Sequence, residues 1–330
     1  MNNDRIQEIL DLMEEARLDY FLISDPQSIA YCTGYYNDPH ERMFVFMISK
    51  HGNHTLFMND LFYLEHDLDV NIVWHKDGQD AIQTIVDEMH FPGRIGIDKN
   101  WASHFLLDLM KKLPDAKYIN ASPCVDLVRM KKDLQEQVLM IESSKINDAV
   151  MEEIIPFIQE GVTEKQLAKK LDELFFNHHS TCYGAIVAFG KNAADPHHEN
   201  DDTPLRKGDC VLIDMGCVYK GYCSDMTRTF FYEGILEEEI KVYEIVKKAN
   251  EAAEAMIKPG VKLSDIDKCA RKVISNEGYG KYFTHRLGHF IGRDVHEYGD
   301  VSSVNEMEVE EGMIFSIEPG VYLEGDFGVR

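Results

Sequence analysis

Val211-Leu-Ile-Asp214-Met-Gly-Cys-Val-Tyr-Lys-Gly-Tyr-Cys-Ser-Asp225-Met-Thr-Arg-Thr229 is the stretch on which the fold depends. Its β-branched and aromatic residues predict two strands joined by a turn at 219–221. Two aspartates interrupt these apolar arms, and a buried carboxylate is costly unless a partner compensates its charge. The pattern predicts a hairpin that presents two carboxylates to a cation. The alternative is that each aspartate caps a strand end or pairs with an arginine.

The composition indicates an acidic globular protein with room for two domains, since the chain has 330 residues. Its formal net charge of -24 argues against nucleic acid or an anionic membrane as a partner, because both would repel it. The first residues lack the apolar core of a signal peptide, and no run of eighteen apolar residues occurs. The seven cysteines form no CxxC pair, so we expect reduced thiols and a cytoplasmic protein.

Residues 1–122 predict a small α/β domain, because strands alternate with helices along them. Strands are expected at 20–24, 44–48, 55–58 and 94–97, and helices at 5–18, 26–31, 81–89 and 104–112. One loop in this region is densely polar. It is either a solvated surface loop or a loop that reaches a functional cleft, and its residues are Asp38, His40, Glu41 and Arg42.

The pattern changes after a proline-containing linker at 121–124, so we expect a second domain over residues 123–330. A long helical pattern over 132–159 breaks near Pro156, and Thr163 with Gln166 predicts a capping box that opens the next helix. A strand at 185–189 then leads into a loop at 190–207. Beyond the hairpin, helices are expected at 236–257 and 264–276, and strands at 314–317 and 320–323.

Polar residues also occur in two later segments that are otherwise apolar or glycine-rich. Gly288 and Gly292 flank His289, which indicates a tight backbone path, and His296 follows seven residues later. Glu318 ends a predicted strand and precedes Pro-Gly. The alternatives are that the histidine is a hydrogen-bonded core residue and that the glutamate lies exposed at a rim.

Taken together, these residues form a chemically coherent donor set of three carboxylates and one imidazole, namely Asp214, Asp225, His289 and Glu318. Such a set suits catalytic Mn²⁺, Co²⁺, Fe²⁺ or Zn²⁺ rather than structural zinc. The DxDxDG spacing that would indicate a calcium-binding loop does not occur in the sequence. Because carboxylates can bridge, the set could hold two ions about 3.5–4 Å apart that polarise a carbonyl and activate a shared water.

Residues 183–330 resemble the pita-bread metallopeptidases, which include methionine aminopeptidase, aminopeptidase P and prolidase. The resemblance lies in LIDMG around Asp214, SDMTRT around Asp225, GHFIG around His289 and SIEPG around Glu318, and it implies that these four residues are metal ligands. Residues 1–122 resemble the creatinase-type N-terminal domain. We therefore expect an α/β (α+β) protein with a creatinase-like N-terminal domain over 1–122 and a pita-bread catalytic domain over 123–330.

The resemblance implies metal-dependent hydrolysis of the peptide bond that precedes proline, with two divalent ions, manganese first among them. Glu318 would take up the proton of the attacking water. His197 and His296, which match the family's two substrate-side histidines, would bind the substrate and stabilise the tetrahedral intermediate.

An Xaa-Pro dipeptidase (prolidase) that acts as a homodimer on dipeptides or short peptides is the expected activity. A dipeptidase must bind a free carboxylate near the scissile bond, and Arg293 is the expected donor, with Arg330 as a further substrate-binding residue. The polar loop at 38–42 is a second candidate, because the corresponding loop of prolidase-like dimers overhangs the partner's site. The motif that starts at His289 is HFIG rather than HGIG, which resembles prolidase more than aminopeptidase P.

Aminopeptidase P, acting on longer peptides, is the first alternative; a creatinase-like amidinohydrolase and a pita-bread binding module without metal are the others. The family's fifth ligand is a glutamate two residues beyond the arginine that matches Arg330, and it bridges both ions. The sequence given ends at Arg330. We therefore expect it to be truncated, and we expect weak metal binding and doubtful activity from these 330 residues alone.

Overall fold

The computed structural model describes residues 1–64, 66–90 and 92–330, and its backbone separates into two compact units, Met1–Arg129 and Met130–Arg330. The domain boundary predicted between residues 122 and 123 stays a prediction; it falls at the start of a short helix, Ser122–Met130. Within the described ranges, none of the helices combines the length and apolar character needed to cross a bilayer.

The first unit is built on a six-stranded sheet of order β4-β3-β2-β1-β5-β6. Strand β1 pairs antiparallel with β2 and parallel with β5, so the sheet is mixed. The strands are β1 (Tyr20–Ile23), β2 (Val45–Ser49), β3 (Thr55–Asn59), β4 (Asn71–His75), β5 (Arg94–Ile97) and β6 (Lys117–Asn120). The helices are α1 (Asn3–Glu15), α2 (Pro26–Thr33), α3 (Ala81–Glu88), α4 (Ser103–Lys112) and α5 (Ser122–Met130).

The central strands of this sheet are buried on both faces. In β1, Phe21 and Ile23 pack into one apolar cluster with Ile9 of α1, whereas Tyr20 and Leu22 pack into a second cluster on the side of α3 and α4. Successive strand residues point to opposite faces, so a continuous apolar run is what a doubly covered strand requires. The predicted α/β architecture is confirmed.

The second unit combines long helices with short strands. Its helices are α6 (Leu134–Ile154), α7 (Glu164–Asn177), α8 (Glu237–Glu254) and α9 (Leu263–Asn276). Its strands are β7 (Thr181–Cys182), β8 (Ile186–Phe189), β9 (Cys210–Met215), β10 (Cys217–Tyr219), β11 (Tyr222–Cys223), β12 (Met226–Phe231), β13 (Gly288–His289), β14 (Asp300–Val301), β15 (Val321–Leu323) and β16 (Phe327–Val329). They form small sheets ordered β11-β10-β7, β12-β9-β8, β13-β14 and β15-β16.

The hairpin predicted over residues 211–229 is present, but each arm is broken. Strands β9 and β12 pair in one sheet, and β10 and β11 pair in another around the turn of Lys220 and Gly221, both of positive φ. The first arm breaks at Gly216, where a Cβ would overlap the Tyr183 hydroxyl and the Ser224 carbonyl oxygen. As a correction, Asp225 therefore lies between two strands rather than inside one.

The alternation of β9 determines which way Asp214 points. Val211 and Ile213 pack into the core beneath α6 and α7, so Asp214 is directed away from that core. Its register partner on β12 is Thr227, and its partner on β8 is Ile186. The face of the β12-β9-β8 sheet opposite the helical core is thus where polar chemistry can gather.

A second correction concerns the strand predicted at 314–317, which is not a regular strand. The segment instead runs irregularly beside residues 287–291. The Ser316 amide donates to the His289 carbonyl (2.8 Å) and the Glu318 amide donates to the Leu287 carbonyl (2.8 Å). This pairing, between segments far apart in the sequence, brings Glu318 next to His289.

Candidate metal centre

Three acidic and imidazole side chains converge between β12, β13 and the 314–318 segment: Asp225, His289 and Glu318. One ligand atom from each lies within 4.8 Å of the other two. The His289 Nε2 atom lies 3.2 Å from Asp225 Oδ2 and 3.2 Å from Glu318 Oε1. We call these three residues the candidate metal centre.

The backbone around His289 admits little variation. A Cβ on Gly288 would overlap the Ser316 carbonyl oxygen, so only glycine allows the two segments to approach this closely. The Ser316 hydroxyl forms hydrogen bonds with both His289 and Glu318. It accepts the His289 amide hydrogen at 2.9 Å and donates to Glu318 Oε1 at 2.8 Å.

Charge coupling within the candidate metal centre is strong. Burial alone would lower the pKa of His289, but hydrogen bonds to Asp225 and Glu318 and their negative charges outweigh it and raise the pKa to about 9. Burial alone would raise the pKa of Glu318, but the hydrogen bond and charge of His289, with help from Ser316, lower it to about 2. The imidazole is therefore protonated and holds two carboxylates together at neutral pH.

These residues fit a divalent cation. The His289 Nδ1 atom lies 3.2 Å from the Phe290 carbonyl oxygen, which favours a hydrogen on Nδ1 and leaves Nε2 to face the carboxylates. A bound cation would take the place of the Nε2 proton, since metal ligands must be deprotonated. Two carboxylates and one imidazole suit Mn²⁺, Co²⁺ or Zn²⁺.

Asp214, the fourth expected ligand, is held by other partners. The Thr227 hydroxyl donates to its Oδ1 at 2.9 Å, and Arg330 Nη2 lies 2.5 Å from its Oδ2. Burial raises the pKa of Asp214 to about 6 against the opposing effect of Arg330, and the negative charge of Asp225 adds to the rise. The two aspartates are thus close enough to repel each other, but the structure does not bring Asp214 into the three-residue group.

Of the two expected substrate-side histidines, His296 lies against the candidate metal centre. Its ring packs edge-on to that of His289, with centroids 4.1 Å apart and an interplanar angle of 88°. Burial and the positive charge of His289 lower the pKa of His296. The next residue, Glu297, forms a buried ion pair with Lys132, with 2.9 Å between Oε2 and Nζ.

His197 is exposed and lies in a turn that Asp195 closes. The Asp195 carboxylate accepts the His197 amide hydrogen at 2.9 Å, and the Asp195 carbonyl accepts that of His198 at 3.2 Å. Arg293, the expected carboxylate-binding residue, lies at the hairpin turn. Its guanidinium carbon is 5.4 Å from the centroid of the Tyr222 ring.

The polar loop at 38–42 belongs to the first unit and is occupied by local contacts. Arg42 is paired with Asp77 through two 3.0 Å hydrogen bonds and lies 2.9 Å from Glu41. His40 Nδ1 lies 3.8 Å from Asp38 Oδ1.

Two residues that bear on the site escaped the sequence analysis. Tyr183 donates its hydroxyl to the Ser224 carbonyl at 2.7 Å, and burial, Asp225 and Asp214 raise its pKa. The signal for it was Gly216, the small residue against which it packs. Glu164 is wholly buried although it follows an N-cap threonine, and the local pattern there is typical of an exposed first helical turn.

Glu164 belongs to a second group that could also supply metal ligands, together with His198 and Asp201. We call this group the loop anchor. Both Glu164 oxygens already accept hydrogen bonds. Oε1 accepts from the Phe189 amide (2.8 Å) and Oε2 from the Asp201 amide (3.0 Å), while His198 Nε2 lies 2.6 Å from Oε2. A carboxylate with its lone pairs engaged in this way needs no cation.

Comparison with known proteins gives family matches for most of the chain. The sequence model described as metallopeptidase family M24 matches residues 138–330, and that of the creatinase/prolidase N-terminal domain matches residues 5–131. An uncharacterized peptidase of Staphylococcus aureus is 34% identical over 335 residues, which is 99% of this chain and 94% of the relative.

Solved structures are similar over the same extent. A recombinant prolidase from Thermococcus sibiricus has a TM-score of 0.94 and 32% identity, covering 100% of this chain and 92% of that one. An Xaa-Pro dipeptidase from Bacillus anthracis has a TM-score of 0.90 and 28% identity, covering 98% and 92%. The expected fold, a creatinase-type N-terminal domain followed by a pita-bread domain, is confirmed.

Proposed function

Because the chain belongs to metallopeptidase family M24, we propose that it hydrolyses the peptide bond that precedes proline, as an Xaa-Pro dipeptidase. The observation that carries the proposal is the candidate metal centre, in which one imidazole nitrogen lies 3.2 Å from each of two carboxylates. The names of two similar structures, a prolidase and an Xaa-Pro dipeptidase, support the substrate class.

Asp225, His289 and Glu318 are proposed to hold a divalent ion, with Asp214 contributing to a second. Bound there, such ions would polarise the scissile carbonyl and make a water molecule more acidic. Asp214 would have to exchange its contact with Arg330 for the ion. Manganese, a homodimer and a cytoplasmic location stay predictions.

The chain's own residues supply proton transfer and orientation. Glu318, whose Oε1 is fixed by Ser316, is proposed to accept the proton of the attacking water and pass it to the leaving nitrogen. His296, whose pKa is lowered, is neutral at pH 7 and can donate a hydrogen bond to the substrate. His197 is proposed to stabilise the negative charge that develops on the tetrahedral intermediate.

Arg293 is proposed to bind the free carboxylate of the substrate, since a guanidinium pairs with a carboxylate in a bidentate way. Its guanidinium lies over the Tyr222 ring at the hairpin turn. Arg330 is proposed as a further substrate contact near Asp214. A role for Asp38, His40, Glu41 and Arg42 stays a prediction.

The proposal is tested by comparing hydrolysis of Ala-Pro with that of Ala-Pro-Pro by the full-length protein loaded with Mn²⁺, Co²⁺ or Zn²⁺. We expect turnover of Ala-Pro, and loss of both turnover and metal binding in the His289→Ala variant. His178→Ala is the matched control, because His178, just after the end of α7, also pairs with a glutamate, Glu153 of α6, away from the candidate metal centre. Preference for the tripeptide would favour an aminopeptidase, and failure to bind metal or to cleave either peptide would overturn the proposal.

A further inference from the structure

Glu164 is a buried carboxylate that collects hydrogen bonds from a single loop. It is the first residue of α7 and has no exposed surface. Besides Phe189, His198 and Asp201, its donors include Asn192, whose Nδ2 lies 2.9 Å from Oε1. Four donors on two oxygens, at the positive end of a helix, compensate the burial of the negative charge.

All four donors lie in the segment 189–201, which comprises the last residue of β8 and the first part of the connection from β8 to β9. The Lys165 amide, one residue into α7, also donates to the Asp201 carbonyl at 3.2 Å. The start of α7 therefore holds this segment at its beginning, middle and end. This loop is therefore held by one distant carboxylate in addition to its local turns.

His197 lies at the centre of the segment, between two fixed neighbours. On one side Asp195 closes the turn through the His197 and His198 amides. On the other side His198 is fixed through its ring by Glu164, at 2.6 Å. The His197 ring is exposed, so its direction depends on the backbone that these neighbours hold.

The end of the segment is fixed beside the strand that carries Asp214. The Asn200 side chain accepts the Val187 amide hydrogen and donates to the Ala185 carbonyl, both at 2.7 Å. Ala185 and Val187 flank Ile186, which is the register partner of Asp214. Three residues span at most about 11 Å, so the backbone of His197 stays within that distance of Asn200.

We infer that Glu164 and His198 are positioning residues that hold His197 in the orientation needed for the reaction. The inference rests on the proposed function, in which His197 stabilises charge in the transition state. It assigns the loop anchor to orientation of the substrate side rather than to a second metal site. A histidine that acts only in the transition state should affect kcat and leave KM nearly unchanged.

The experiment is a double-mutant cycle on Ala-Pro hydrolysis by the metal-loaded protein, with variants His197→Ala, His198→Ala and both together. We expect His198→Ala to lower kcat by about 10- to 100-fold, since small displacements of a catalytic group have effects of this size. In the His197→Ala background the same change should cost less than about twofold, because coupled residues are not additive. His198→Gln, which keeps a donor toward Glu164, should recover part of kcat.

His178→Ala removes a comparable histidine–glutamate pair outside the loop and should leave kcat and KM unchanged. Circular dichroism and metal titration establish that each variant folds and binds metal. Additive losses in the double variant, or a normal kcat in His198→Ala, would overturn the inference.

Amide hydrogen exchange of residues 189–201, measured without substrate, separates this inference from the proposed function. Faster exchange in His198→Ala than in His178→Ala supports the positioning role, and equal exchange in the two variants overturns it. If the unmodified protein cleaves no proline peptide, the proposed function fails, and the exchange result alone decides whether the loop is held in this way.

Discussion

The candidate metal centre and the loop anchor each combine one histidine with two acidic residues, and in both the ligand atoms lie within 4.8 Å of one another. They differ in the number of hydrogen-bond donors. Glu164 of the loop anchor accepts from two main-chain amides and two side chains. In the candidate metal centre, Asp225 and Glu318 share one imidazole nitrogen.

Composition and proximity alone therefore do not define a metal site. Where donors are sufficient, a buried carboxylate is neutralised in place and serves the fold. Where two carboxylates share few donors, here the His289 ring and the Ser316 hydroxyl, a cation can supply the missing positive charge. In the structure a proton on His289 supplies part of it, as the raised pKa of that residue indicates.

The largest expected effect on activity comes from replacing one aspartate of each group with alanine. Asp225→Ala removes a proposed ligand, and kcat/KM on Ala-Pro should fall at least about 1000-fold, since the loss of a mere outer-shell partner already costs about 10- to 100-fold. Asp201→Ala should change it by less than about threefold, because Asp201 reaches Glu164 through its amide, which the substitution keeps. Steady-state kinetics with saturating metal measure both. Similar losses in the two variants would contradict the distinction.

The next effect is on the stability that the loop anchor provides. Glu164→Ala leaves four donors without their acceptor and should lower the free energy of unfolding by about 3 kcal/mol or more. Glu173→Ala, on the exposed side of the same helix and paired with Lys170, should cost less than about 1 kcal/mol. Urea unfolding in the presence of a chelator measures the difference. A Glu164 variant as stable as the Glu173 control would show that the hydrogen bonds contribute little.

Local sequence patterns predicted most elements of both groups but not how they meet. The apolar alternation of β9 and the Lys220-Gly221 turn are local features, and the hairpin follows from them. The break at Gly216 was not predicted, because it depends on Tyr183, a residue thirty-three positions away. Close packing against a distant side chain leaves no periodic signal.

Local sequence patterns also did not predict which charged side chains lie close together. His289 and Glu318 are brought together by hydrogen bonds between the short strand β13, with its neighbour Leu287, and an irregular segment that has no strand pattern. The burial of Glu164 was missed because a capping box normally places the following residues in solvent. The contact of Arg330 with Asp214 joins residues too far apart in the sequence for local reasoning. In each case the missing information is a long-range contact.

Metal addition should distinguish the two groups without any substrate. An ion at about 100 times its Kd adds about 2.7 kcal/mol of stability if it binds only the folded state, which corresponds to a rise in Tm of about 5–10 °C for a unit of this size. His289→Ala should abolish the rise, and His198→Ala should retain it. Differential scanning calorimetry with and without Mn²⁺ measures both. An equal rise in the two variants would mean that the ion binds elsewhere.

A further expected effect is a pH dependence of the metal-free protein, and its sign follows from the two shifted pKa values. The pKa of Glu318 falls from an ordinary 4.5 to about 2, so its contribution is present above pH 4.5 and is lost as the pH falls toward 2. The pKa of His289 rises from 6.5 to about 9, so its contribution is complete below pH 6.5 and is lost as the pH rises through 9. This pair therefore stabilises the fold most between about pH 4.5 and 6.5.

Urea unfolding between pH 5 and 10 with a chelator should reveal the alkaline half of this dependence. The unmodified protein should lose stability from pH 6.5 to 9, and His289→Ala should lose less, because it has no proton to release there. His178→Ala, which alters a histidine outside the candidate metal centre, should keep the slope of the unmodified protein. The same slope in the His289 variant would mean that other groups cause the alkaline loss, and that the imidazole does not bind the two carboxylates as the 3.2 Å distances imply.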